Sequence, residues 1–178
     1  MKLATLLILI ISSALASSAQ QRPGRWLSDG KPTPDSDWSK ASNGFGAQLI
    51  FVDDPKGFVE LWNRPEFPNI TTATKIHRKQ QFGAFILFAG CKGGNDGHCN
   101  AVVSFKIEDP KGKVIAERPN QTVWNGEVLD PRTTYMGKAV LGIAFSAAEI
   151  NGTYTIRALV QDRNAPATLE LKSTVELK

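Results

Sequence analysis

From position 46 onward the chain runs in short apolar stretches separated by turn residues, with the two-residue period of strands. "AVVSFKIED" places Ala101, Val103, Phe105 and Ile107 on one face and Ser104, Lys106 and Glu108 on the other. "TYTIRALVQD" sends Tyr154, Ile156, Ala158 and Val160 inward, and "ATLELKSTVELK" does the same with Leu169, Leu171, Val175 and Leu177. "FGAFILFAG", Phe82 to Gly90, is apolar at both phases, which predicts a central strand. "AQLIFV", "ITTATKIH", "VIAE", "TVW" and "KAVLGIAFS" supply further strands. One segment breaks the period. In "DDPKGFVELWNRP", Asp53 or Asp54 caps a helix with Pro55 in its first turn, and Pro65 stops it. Phe58, Leu61 and Trp62 share its apolar face, and the helix is expected to close one end of the fold. About eight short strands with regular turns predict an all-β sandwich over residues 46–178.

The first 45 residues follow other rules. Lys2 precedes an apolar run, Leu3 to Ile11, too short for the ~20 residues of a membrane span. Small residues follow, with Ala16 and Ala19 both suitable before a signal-peptidase cut. Residues 1–19 are therefore expected to be a signal peptide, and the protein periplasmic or extracellular. Residues 20–45 are rich in Pro, Ser, Asp and Lys and read as a flexible tail, with Trp26 and Trp38 pinning it to the domain. No later segment is apolar enough to span a membrane. The net charge of +4 is mild and its signs are interspersed, so neither nucleic acid nor a membrane surface is an expected partner. Asn69, Asn120 and Asn151 each open an Asn-x-Thr triplet, which carries a glycan only if the source is eukaryotic.

"AEINGTYTIRA", residues 148–158, resembles the approach to the sixth strand of immunoglobulin-like domains, with Gly152 and Tyr154 in the matching places. That resemblance implies a Greek-key sandwich in which the tyrosine hydroxyl ties the corner back to the backbone. Ile156 stands where antibody domains carry an inter-sheet cysteine, so that disulfide is absent. Residues 46–178 as a whole are similar to small exported bacterial sandwich modules without assigned activity. The resemblance carries over no catalytic residue.

Chemistry concentrates in "GCKGGNDGHCN", residues 90–100. Two cysteines in an exported chain normally pair, so Cys91 and Cys99 are expected to form a disulfide across the mouth of a hairpin. Closing a loop of this length removes about 2.5 kcal/mol of unfolded-chain entropy. The competing reading is a metal site of Cys91, Asp96, His98 and Cys99, in a periplasmic metal-handling protein. Its spacing is too wide for a zinc turn, and oxidation consumes the thiolates. A hydrolase would have to use His77 or His98, and neither has a nucleophile motif beside it.

The sequence therefore points to an exported non-enzymatic binding or accessory module, without cofactor or metal, acting on a protein or cell-envelope polymer. Lys92, Asn95, Asp96 and His98 form the candidate contact loop. Trp124 is a candidate recognition aromatic, with core packing as the plainer alternative.

Overall fold

The computed structural model describes residues 26–28, 31–66 and 68–178, so the expected signal peptide lies outside it. Along the chain come β1 (Leu27–Ser28), β2 (Lys31–Pro32), β3 (Ser39–Ser42), β4 (Phe45–Val52), α1 (Pro55–Trp62) and β5 (Lys75–Ile76). Then follow β6 (Gln81–Ala89), β7 (Ala101–Glu108), β8 (Val114–Trp124), β9 (Tyr135–Ala144), β10 (Gly152–Asp162) and β11 (Ala167–Leu177). β1 and β2 pair antiparallel. The other strands form a four-stranded sheet ordered β3-β4-β6-β9 and a five-stranded sheet ordered β5-β11-β10-β7-β8. The protein is an all-β sandwich with one short helix and a disulfide-closed loop. β4, β6 and β9 take the places of strands A, B and E of an immunoglobulin-like domain, and β7, β8, β10 and β11 those of C, C′, F and G.

The two-residue alternation generates the core. Ala101, Val103, Phe105 and Ile107 of β7, Tyr154, Ile156, Ala158 and Val160 of β10, and Leu169, Leu171, Val175 and Leu177 of β11 are all buried, as their phase predicts. They face Phe45, Ala47, Leu49 and Phe51 of β4 and Phe82, Ala84, Ile86 and Phe88 of β6 in one cluster. The Tyr154 hydroxyl donates to the Ile150 carbonyl at 2.9 Å, which ties the corner before β10 as the resemblance implied.

β6 is buried on both faces because α1 covers the side turned away from the sandwich core. Asp54 caps the helix by accepting from the Gly57 amide at 2.9 Å, with Pro55 in the first turn. Phe58 is buried and meets Phe85 edge-on at 4.8 Å between ring centroids. Ile50, Val52, Phe85 and Leu87 complete this second cluster, with Val59 and Trp62 packed against it. The helix thus lies over the outer face of the four-stranded sheet and does not close an end. Its buried face turns through Phe58, Val59 and Trp62, and Leu61 lies beside it.

Three further expectations change. The sheet starts ahead of position 46, since β3 and the fully buried Phe45 belong to it. The Asp37 carbonyl accepts from the Lys172 amide at 2.7 Å, and the Trp38 carbonyl from the Leu49 amide at 2.8 Å. Trp38 therefore anchors the segment through its backbone while the residue stays 44 % exposed, whereas Trp26 is half-buried. "ITTATKIH" forms only the two-residue β5, parallel to β11. "VIAE" and "TVW" fuse into one strand, β8, which passes Pro119 and Asn120 with three breaks in register against β7.

Burial raises the Tyr154 pKa above the ordinary tyrosine value. The neutral hydroxyl then contributes stability that is fully present below pH ~10 and is lost as pH rises through the folded-state value. Tyr154→Phe is expected to cost about 1 kcal/mol at pH 7. Urea unfolding should show that gap closing as pH rises above the ordinary tyrosine value of ~10, where the wild type carries the ionisation penalty and the variant does not.

Candidate functional site

Cys91 and Cys99 are joined by a disulfide, with Cα atoms 5.8 Å apart. The loop they close folds back on itself: Gly93 bridges Cys99, the Gly94 amide donates to the His98 carbonyl at 2.9 Å, and the Gly97 amide donates to the Gly94 carbonyl at 3.0 Å. Gly97 turns with φ of 74°, a left-handed conformation that glycine takes without strain. The hairpin is confined to this loop. β6 and β7, which flank it, belong to opposite sheets because each already has two other neighbours. The disulfide therefore pins a crossover from one sheet to the other.

A buried carboxylate fixes the base of this loop. Asp162, at the end of β10, is 2 % exposed. One oxygen accepts from the Lys92 amide at 2.8 Å and the other from the Asn164 amide at 3.0 Å. The Asn164 side-chain amide donates in turn to the Lys92 and His98 carbonyls at 3.0 and 2.8 Å. On the other flank the Cys99 amide donates to the Gly126 carbonyl at 2.7 Å, and His98 bridges Glu127. Disulfide, carboxylate and amide together hold the loop against the turns after β8 and β10.

Beside the loop lies a polar cleft of about 410 Å³. Its wall carries Asn100, Asn120, Asn125 and Asn164, with Arg163 and His98. Several are positioned by partners: Arg163 donates to the Asn120 side-chain oxygen at 3.1 Å, and Lys138 to that of Asn125 at 3.0 Å. The His98 ring nitrogen Nδ1 lies 3.0 Å from the Asp96 carbonyl, and the His98 amide donates to the Asp96 carboxylate at 3.0 Å.

On the outer face of the five-stranded sheet lies a second hollow of about 440 Å³, and Ser104 in its lining follows Val102 of the cleft on the same face of β7. Lys172, Arg157 and Lys106 stand side by side on β11, β10 and β7. Like charges across strands repel, and each cation here has its own acid. Lys172 pairs with Asp37 at 2.9 Å, Arg157 with Glu108 at 2.7 Å and Lys106 with Glu117 at 3.1 Å. Lys172 holds the Asp37 carboxyl below the usual carboxylate range, and Glu108 raises the Arg157 pKa further.

The four expected contact residues, Lys92, Asn95, Asp96 and His98, are all exposed on the closed loop. Asp96 and His98 line the cleft, whereas Lys92 and Asn95 do not. Trp124 is half-buried, packs against Phe88 at 6.2 Å and donates from its indole nitrogen to the Glu127 carbonyl at 3.0 Å. Lys138 lies 4.7 Å over its ring, so a stacking ligand would have to displace that cation. The disulfide removes both thiolates from the metal-handling reading. His77 and His98 lie beyond opposite ends of β6, a strand that spans roughly 30 Å, and form no common site. Asn69, Asn120 and Asn151 are all exposed, and Asn120 sits in the cleft wall.

No protein-family model matches the chain. No curated protein matches it either. Among solved structures, a family 123 glycoside hydrolase from Clostridium perfringens is similar over 76 % of this chain and 27 % of its own, at 10 % identity and a TM-score of 0.43. The alkylpurine DNA glycosylase AlkC of Pseudomonas fluorescens, bound to DNA containing an abasic site analog, is similar over 59 % of this chain and 28 % of its own, at 13 % identity and 0.36. A CARDB domain from Pyrococcus furiosus, in complex with di-metal ions, is similar over 81 % of this chain and 97 % of its own, at 9 % identity and 0.36. The chain thus spans about a quarter of the two enzymes. Likenesses of this degree assign it no activity.

Asp162→Ala leaves two amide donors of the loop base without their acceptor. It is expected to destabilise the protein by roughly 3 kcal/mol in urea unfolding, with Asp162→Asn costing less because one acceptor survives. Replacing both cysteines by alanine should cost about 2.5 kcal/mol in the same assay.

Proposed function

We propose that this protein is an exported, non-enzymatic binding module that takes a hydroxyl-rich polymer, a cell-envelope glycan, along the outer face of the five-stranded sheet. The observation that carries this reading is the asparagine-lined cleft at the rim of that face. An asparagine side chain both donates and accepts hydrogen bonds, as does a sugar hydroxyl, so four of them in one wall match such a ligand. Small-molecule pockets are lined mostly by apolar groups; this cleft has Val102 and Cys99 as its only apolar lining residues.

The surface is also prepared in advance. The disulfide, Asp162 and Asn164 fix the loop on one side of the cleft, and Lys138 fixes Asn125 on the other. Groups held before binding lose less entropy on meeting a ligand. The separate hollow over Arg157 and Lys106, on the same sheet face, gives a chain longer than a single sugar a second place to lie. Export is supported by the leader pattern at 1–19 and by the disulfide, which oxidising compartments favour. No helix among the described residues is long and apolar enough to cross a membrane.

Isothermal titration with purified envelope polysaccharides, neutral and acidic, tests the proposal. Asn125→Ala and Arg163→Ala are expected to weaken binding by about tenfold each, the worth of one or two hydrogen bonds. Lys56→Glu, on the helix that covers the other sheet, should leave it unchanged. Absence of binding to every polysaccharide, or equal loss in all three variants, contradicts the proposal.

A further inference from the structure

We infer that β9 is a self-association edge, through which two copies of the chain pair antiparallel to join their four-stranded sheets. This rests on residues 139–144 of β9, none of which lines the polar cleft.

An edge strand presents unpaired backbone groups and is a template for another strand unless something blocks it. The edges of this sandwich are treated unequally. β8 is blocked four ways: Pro119 lacks an amide donor, Asn120 turns with φ of 51°, Glu117 and Arg118 place charges on the strand, and its register breaks three times. β3 spans only Ser39–Ser42, and the β11 edge is met by β5 and by the Asp37 carbonyl. β9 has none of these devices. It runs for ten residues, pairs on one side with β6 and contains no proline and no acid. Its one cation, Lys138, turns to Trp124 and Asn125 at the N-terminal end. From Ala139 to Ala144 the edge is left open among the described residues.

The side chains of that stretch suit a second copy. Ala139, Leu141 and Ile143 are buried in the core. Val140, Gly142 and Ala144 are exposed on the outer face, Val140 by 46 %, and nothing lies within 4 Å of the position a Gly142 side chain would take. Antiparallel pairing about a two-fold axis at Gly142 sets Val140 against Ala144 of the second copy and Gly142 against its own counterpart. It also sends the Lys138 residues of the two chains to opposite ends, so no like charges meet. An acidic strand from another protein would find no cation within 139–144. A β9 copy needs none, and the contact closes at two chains.

Sedimentation equilibrium from about 10 µM to 1 mM, together with amide hydrogen exchange, tests this. The weight-average mass should rise towards twice that of one chain, and amides of 139–144 should gain protection with concentration while those of β8 do not. Val140→Lys combined with Ala144→Lys, both at exposed positions, should hold the mass at one chain with an unchanged melting curve. A single-chain mass for the wild type throughout, protection gained on β8 instead, or a dimer that survives the double substitution overturns the inference. So does a wild type that stays monomeric while a synthetic valine–threonine strand peptide protects 139–144, which would assign the edge to a foreign strand.

Discussion

Burial of β6 on both faces is the constraint on which the rest of the molecule depends. One face contributes Phe82, Ala84, Ile86 and Phe88 to the space between the sheets, and the other turns Phe85 and Leu87 outward. Those outward groups would be stranded in water without α1. The helix is too short to be stable alone, as isolated helices below about 12 residues are marginal in water. Its cap and the burial of Phe58 hold it in place, and in turn it seals the four-stranded sheet. The two outer faces of the sandwich thereby become different in kind. One is a second core under a helix, and the other is a solvent-facing array of paired charges and amides.

The crossover from β6 to β7 links that constraint to the candidate site. A strand packed on both faces cannot splay to accommodate a loose crossover, and its end is pinned by Cys91 and by the Lys92 amide on Asp162. Asp162 belongs to β10 and Asn164 to the turn that follows, so the loop is secured to the five-stranded sheet as well as to its own strand. The cleft inherits this rigidity. Its asparagines come from the start of β7, from β8 and the turn after it, and from the turn after β10, all of which meet at the same end of the sandwich.

Much of the fold is legible in the residues themselves. The inward phase of β7, β10 and β11 follows from alternation, the tyrosine corner from Gly152 and Tyr154, and the helix start from Asp54 and Pro55. What alternation does not carry is which sheet a strand joins, because pairing is a contact between distant segments. Hence a two-sided apolar strand shows that β6 is covered twice, without showing that α1 is the cover. The cysteines and the exposed loop residues were readable from spacing and compartment. Asp162 was not: it shares the inward phase of Tyr154, Ile156, Ala158 and Val160, but nothing local shows what a carboxylate would bond there, and only the loop arriving from 70 residues away makes it a buried acceptor. The cleft asparagines were equally silent, since each sits alone in its own segment.

The open face, with the asparagine-lined cleft at its rim, is the proposed binding surface. Mapping backbone amide shifts by nuclear magnetic resonance during titration with a soluble envelope oligosaccharide tests it most directly. Perturbations are predicted at Asn100, Asn120, Asn125 and Asn164, extending along the outer face towards Arg157, with α1 unmoved. Shifts centred on α1, or scattered without regard to either face, would contradict it.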